Sequence, residues 1–198
     1  MIDDIKGHVL IVMAPMGGGK GTLINAALQK FSDLYLTVSC TTRDARPGEV
    51  EGKDYYFLTP EEFDNKIEAG EFLEWATFGK NRYGTLKSEI VERLQKGQMV
   101  IAEIDLQGVE QLKKLIPKEH ITIVYIEAGG WENLKKRALE RAPMSEEELN
   151  DRYERYLIES ASKSMADIVI DNSSNDPEPA KQTFNELVYD LKTRIYKD

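Results

Sequence analysis

Residues 9–22 constrain this chain more than any other stretch. An unbroken apolar run, Val9 to Met13, leads straight into Ala14-Pro15-Met16-Gly17-Gly18-Gly19-Lys20-Gly21-Thr22. An apolar run without alternation marks a strand buried on both faces. Beyond the glycines, apolar residues fall at 23, 24, 27, 28 and 31, the stripe of an amphipathic helix. A glycine loop between such a strand and such a helix turns several backbone N–H groups inward at an anion, reinforced by the positive end of the helix dipole. Lys20 adds a full charge for β- and γ-phosphates, and Thr22 adds a hydroxyl. The match to G-x-x-x-x-G-K-[ST] is incomplete. Ala14 stands in the first glycine position, which requires a negative φ there. Gly21 stands where a hydroxyl usually ligates magnesium, so the metal must rely on water, phosphate oxygens and distant carboxylates. Met16 brings no hydroxyl to the loop.

Composition narrows the class. The 198 residues are 41% apolar and 31% charged, with Gly 14 and Pro 7, which excludes a collagen-like, low-complexity or wholly disordered chain. The longest apolar stretches, Val9 to Ala14 and Ile121 to Ile126, fall far short of the ~18 residues that span a bilayer. The opening MIDDIKGH lacks a secretory pattern, and one cysteine, Cys40, precludes an internal disulfide framework. Both fit a cytoplasmic protein. The net charge of −9, from 26 basic and 35 acidic residues, argues against a general nucleic-acid or membrane surface.

Strand and helix alternate along the chain. Strands are expected at Met99 to Ile104, Ile121 to Ile126 and Ile168 to Ile170, each followed by a helix, the last from about Glu178 with Asp176 as N-cap. That order predicts an α/β fold, a parallel sheet covered on both faces. Two stretches interrupt it. Residues 39–95 hold a turn-rich segment, alternating strands near 54–58 and 72–78, and helices near 60–69 and 86–96. Residues 131–163 are helical and charged. The predicted organisation is one domain. Its core comprises 1–38, 96–130 and 164–198, with an inserted lobe at 39–95 and a helical lid at 131–163.

Arginines gather in the first insertion. Ser39-Cys40-Thr41-Thr42-Arg43-Asp44-Ala45-Arg46-Pro47-Gly48-Glu49 sets two of them in a shaped turn, directly before Asp54-Tyr55-Tyr56-Phe57. Guanidinium groups and a tyrosine hydroxyl converging from a rigid turn make a phosphate clamp, whereas a solvated loop of ion pairs is the plainer alternative. Alternation puts Phe72, Glu74 and Ala76 on one strand face, with Leu73 and Trp75 on the other. Cys40, pointing away from Ser39, reads as filler. In the second insertion, Arg137 and Arg141 stand at i and i+4, a repulsive spacing unless an anion lies between them.

Taken together, PMGGGKGT, SCTTRDARPGEVEGKDYYF, EEF…GEFLEWATF, Tyr83-Gly84-Thr85 and EIDLQGV resemble the guanylate kinases of the P-loop nucleoside monophosphate kinase family. The resemblance covers most of residues 9–126. It implies a three-layer P-loop kinase core and the reaction ATP + GMP ⇌ ADP + GDP with Mg2+. It puts ATP on Pro15, Met16, Gly17, Gly18, Gly19, Lys20, Gly21 and Thr22, with Asn172 near adenine. GMP phosphate falls to Arg43, Arg46, Tyr55 and Tyr83. Guanine falls to Glu74, Ser39, Thr85 and Asp105. Lys20, Arg43, Arg137, Arg141 and Arg152 become the groups that stabilise the transferring phosphoryl, and Glu103 orients water around the metal. A monomer or homodimer is implied, as is purine nucleotide metabolism. The lid departs from the family pattern, with Ala142-Pro143-Met144-Ser145 after Arg141, and Tyr153 and Tyr156 after Arg152. Two alternatives share this scaffold: a kinase for another small phosphorylated acceptor, and a non-catalytic module that binds phosphopeptides through the GMP site.

Overall fold

A computed structural model of the chain describes residues 1–141 and 143–195, without the side chains of Phe78 and Arg141. It is an α/β protein with seven α-helices among the described residues and two sheets. The larger sheet has five strands in the order β2-β7-β1-β8-β9: β1 is His8–Met13, β2 Tyr35–Leu36, β7 Met99–Ala102, β8 Ile121–Glu127 and β9 Ile168–Asp171. The smaller has four, in the order β4-β3-β6-β5: β3 is Cys40–Thr41, β4 Tyr56–Phe57, β5 Phe72–Phe78 and β6 Asn81–Leu86. The helices are α1 (Lys20–Lys30), α2 (Pro60–Glu68), α3 (Lys87–Gln95), α4 (Leu106–Leu112), α5 (Trp131–Arg141), α6 (Glu146–Ala161) and α7 (Glu178–Ile195). The chain divides into two compact units, Met1–Val9 with Tyr35–Ile121 and Leu10–Leu34 with Thr122–Asp198.

In the first unit, β2 and β7 run parallel, pairing Tyr35 with Val100 and Leu36 with Ile101. Met99, Val100, Ile101 and Ala102 are all buried, which is what a parallel strand covered on both faces demands. The small sheet is mixed. β3 is parallel to β4 and antiparallel to β6, and β6 forms a hairpin with β5. Phe63 of α2 stacks on Phe72 with centroids 4.4 Å apart, and both pack on Cys40. Cys40 is therefore the filler expected, and burial pushes its thiol pKa up to about 12. Helix α2 starts where Thr59 and Glu62 exchange hydrogen bonds in a capping box, with Pro60 in the first turn.

In the second unit, β8 and β9 run parallel from Val124↔Ile168 to Glu127↔Asp171. Helix α1 buries Leu23, Ile24 and Ala27, as its apolar stripe predicts. It meets α7, where Lys192 pairs with Asp33 and lies 5.2 Å from the centroid of the Phe31 ring. Helix α6 begins on a second capping box, Ser145 with Glu148. Asp176 accepts the Glu178 N–H at 3.0 Å at the start of α7.

Two local readings from sequence need correction. Sequence pattern does not predict β6, because its residues NRYGTL carry no apolar alternation; hairpin pairing with β5 makes it a strand. Alternation along β5 also fails at its start. The register slips between Phe72 and Glu74, which face Leu86 and Thr85, and Leu73 is buried as well. An extra residue in one strand re-aims the side chains beyond it, so Glu74 owes its direction to this bulge.

Candidate active site

In the first unit, the bulge turns Glu74 into the interior, where it is only 6% exposed. Its strand partner is Thr85, fully buried, whose hydroxyl has no hydrogen-bond partner. A side chain on Gly108 would overlap the Glu74 carboxylate, so glycine in α4 is what lets the acid lie against that helix. Gln111 of α4 clamps the next residue from both sides. Its amide donates to the Trp75 carbonyl at 2.7 Å, and its oxygen accepts the Trp75 N–H at 3.2 Å. Burial raises the Glu74 pKa to about 7, and the charge of Asp105 pushes the same way. Thr85 pulls it down, although its hydroxyl stays outside hydrogen-bond geometry. Asp105 caps α4, its Oδ1 accepting the Gly108 N–H at 2.8 Å.

The arginine turn lies in the same unit. Glu49 grips Arg43 with both oxygens, at 3.0 and 2.9 Å, and accepts the Arg46 N–H at 2.7 Å. The Arg43 guanidinium stands 5.3 Å from the Tyr55 ring centroid and 5.8 Å from that of Phe57. Hydrogen bonding to Glu49 raises its pKa further, keeping the charge fixed. The rings of Tyr55 and Tyr83 meet edge-on at 6.2 Å. Burial raises the Tyr55 pKa, with the Glu103 carboxylate adding to the effect. Arg46 is exposed, and Ser39 is half-buried, its carbonyl accepting the Tyr56 N–H at 2.9 Å. Ser39, Arg43, Arg46, Tyr55, Glu74, Tyr83, Thr85, Glu103 and Asp105 thus all belong to one unit.

The phosphate loop belongs to the second unit. Gly17 and Gly19 have φ of 83° and 96°, the left-handed region that L side chains avoid. Asp4 is the only described non-glycine residue with positive φ, so Ala14 meets the condition set for it. The Lys20 ammonium lies 3.4 Å from the Ala14 carbonyl. Thr22 is exposed and nothing crowds Gly21. Asn172 braces the loop, its amide donating to the Gly18 carbonyl at 2.9 Å while its oxygen is buried without a partner. A Cβ on Gly19 would strike that amide. Arg137 donates to the carbonyls of Asn172 and Ser174, each at 2.7 Å. On α6, Glu159 accepts the Met16 N–H at 2.7 Å. Its pKa is raised by burial, against the pull of that N–H, Lys20 and Arg155. Arg152 is half-buried near Glu148, and the Arg141 side chain lies outside the described residues, as does Ala142.

A protein-family model for guanylate kinase matches residues 6–188. The chain belongs to the guanylate kinase family. It is 38% identical over 183 residues to a guanylate kinase of Rubrobacter xylanophilus, covering 92% of this chain and 94% of that one. It is 44% identical over 140 residues to one from Synechococcus elongatus, covering 71% of this chain and 75% of that one. The crystal structure of guanylate kinase from Anaplasma phagocytophilum superposes with a TM-score of 0.73 at 27% identity, over 98% of this chain and 88% of that one.

Membership in a phosphotransferase family fits the two groups of side chains, one acidic and buried, the other a glycine cradle with lysine. Four contributors escape a reading of the sequence. Glu49 orients Arg43, Gly108 and Gln111 shape the Glu74 site, and Glu159 engages the phosphate loop. Glu49, in the arginine block, and Gly108, in EIDLQGV, lie within blocks that carry the resemblance; Gln111 and Glu159 depend on contacts between distant segments. Among the described residues, no group of three His, Cys, Asp or Glu side chains is placed to hold a metal. No helix among the described residues is long and apolar enough to cross a membrane.

Proposed function

We propose that this chain phosphorylates GMP to GDP with ATP, and that Glu74 is the group that selects guanine. Guanine offers two adjacent donors, N1–H and the 2-amino group, which one carboxylate accepts together. Adenine lacks both and would strand the buried acceptor, costing about 1–3 kcal/mol or more. Thr85, with a hydroxyl free to donate, and Ser39 take the O6 and N7 edge; Asp105 takes a further contact to the 2-amino group. The observation that carries this reading is a carboxylate 6% exposed at a strand bulge, opposite a buried hydroxyl without a partner.

Arg43, Arg46, Tyr55 and Tyr83 hold the GMP phosphate. Glu49 fixes the fork of Arg43 before substrate arrives, which lowers the entropy lost on binding. ATP lies on residues 15–22, with Lys20 on its β- and γ-phosphates. An oxygen of the GMP phosphate attacks the γ-phosphorus, that bond forms as the bond to the β–γ bridging oxygen breaks, and ADP leaves. The attacking oxygen is already anionic, so no general base is needed; positioning and charge stabilisation suffice. Lys20, Arg137, Arg141 and Arg152 supply that charge. When magnesium is bound with ATP, Glu103 would orient its water, and the ion would supply positive charge against the polyphosphate. Asn172 keeps the glycine loop in shape. Residues 39–95 serve as the GMP lobe and 131–163 as the lid, in a cytoplasmic enzyme of purine nucleotide metabolism. The retained cradle at Gly17–Lys20 supports catalysis over a phosphopeptide-binding role.

The test is Glu74→Gln. An amide can accept only one of guanine's two donors and sets its own N–H against the other. The expected result is a KM for GMP raised by about tenfold or more, with the KM for ATP unchanged. Equal effects on both substrates would remove Glu74 from the guanine site.

A further inference from the structure

Glu89 lies in α3, and the function above makes no use of it. It is buried, at 7% exposure, and accepts three hydrogen bonds. The Tyr35 hydroxyl donates to Oε2 at 2.6 Å, the Val38 N–H donates to Oε2 at 3.0 Å, and the Tyr56 hydroxyl donates to Oε1 at 3.2 Å. One turn along α3, the Arg93 guanidinium sits 3.4 Å from the centroid of the Tyr35 ring and covers it. A buried carboxylate is costly unless its lone pairs are met, and here three donors meet them. Burial, then the Glu89 hydrogen bond, raises the Tyr35 pKa to about 12, so that hydroxyl remains a donor across the physiological range.

These hydrogen bonds join three places with a common significance. Val38 precedes Ser39 in the segment that leaves β2 of the larger sheet for β3 of the smaller one. Tyr56 follows Tyr55 and is tied back to Ser39 through its N–H at 2.9 Å. Glu89 itself stands in the first turn of α3, four residues after Thr85. One carboxylate thus fastens together the immediate neighbours of two proposed GMP-binding residues, from a helix that follows directly on the strand bearing a third.

We infer that Glu89 is a positioning residue for GMP, setting the spacing of Ser39, Tyr55 and Thr85 through hydrogen bonds to Val38, Tyr35 and Tyr56. This rests on the GMP-site reading above. A shift of an ångström in such groups weakens binding steeply, and all the affected groups face one substrate. Loss of Glu89 therefore acts on GMP and spares ATP.

The experiment measures KM for GMP and for ATP, with thermal melts, on Glu89→Ala, Glu89→Gln, Tyr56→Phe, Ser39→Ala and the Glu89→Ala/Ser39→Ala pair. Glu89→Ala is expected to raise the KM for GMP on the order of tenfold. The KM for ATP stays within about twofold, and Glu89→Gln, which keeps the shape and one acceptor, recovers most of the loss. The double variant shows less than the product of the single effects, because both act on the same contact. Should Glu89→Ala not fold, Tyr56→Phe removes a single bond and still raises the KM for GMP alone. An unchanged KM for GMP in folded variants, parallel rises for GMP and ATP, or full additivity with Ser39→Ala would overturn the inference. Ser39→Ala without any effect on GMP would instead overturn the GMP-site reading beneath it.

Discussion

Glu74 concentrates the chemistry of the first unit in one side chain. Its pKa of about 7 stands above the ordinary value of 4.5, chiefly because burial disfavours the charged form. Linkage then fixes the sign of its effect on stability. Below pH 4.5 the carboxyl is protonated whether the chain is folded or not, and burial costs nothing through ionisation. Between 4.5 and 7 the unfolded chain releases its proton first, so the folded state loses stability as pH rises. Above 7 the loss is complete, on the order of 3 kcal/mol. Urea unfolding of wild type and Glu74→Gln from pH 5 to 8 reads this directly. The stability of wild type relative to the variant is expected to fall with pH, and a constant difference would contradict it. In the proposed site guanine's donors would act in the opposite direction, favouring the carboxylate, so GMP binding is expected to strengthen as pH rises through 7. The Gln variant retains only what ionisation of the nucleotide phosphate contributes.

Elements matter here for how they present single residues. The bulge in β5 turns Glu74 inward, and α4 offers a glycine where that carboxylate needs room. The loop between β1 and α1 is equally specific. Gly19 combines a φ of 96° with an Asn172 amide sitting where a side chain would project. Gly19→Ala should therefore distort the loop and raise the KM for ATP by tenfold or more, while GMP binding measured without ATP is unchanged. Equal affinity for ATP in the variant, by titration, would show that the loop does not depend on this glycine. Elements also mark where sequence pattern stops being informative. Strand β1, α1 and β8 announce themselves through apolar runs and helical stripes, because burial on both faces leaves no other composition possible. Strand β6 and the two-residue strands β2 and β3 carry no such pattern; pairing with neighbouring strands creates them. The bulge at Leu73 belongs to the same class, since a break in register arises between strands and not within one.

At the scale of the molecule, the resemblance carried by five sequence blocks agrees with the family to which the chain belongs and with its α/β fold. Lys20, Arg43 and Glu74 stand out in the sequence because a bound phosphate or guanine would demand a particular charge. Their supports do not: Glu49 could be guessed from its block, but Glu89, Gln111 and Glu159 act across gaps of 33 to 143 residues that no local spacing records. The two units, Met1–Val9 with Tyr35–Ile121 and Leu10–Leu34 with Thr122–Asp198, divide the proposed residues cleanly. Acceptor-binding groups fall in the first and the phosphate loop in the second. The central claim, that the chain transfers phosphate specifically to GMP, is tested most directly by ADP release with ATP and magnesium. GMP, AMP, CMP, UMP and no acceptor are compared side by side. The account predicts ADP release that depends on GMP, with the other nucleotides at the level of no acceptor. Equal turnover with AMP, or none with GMP from folded protein, would contradict it.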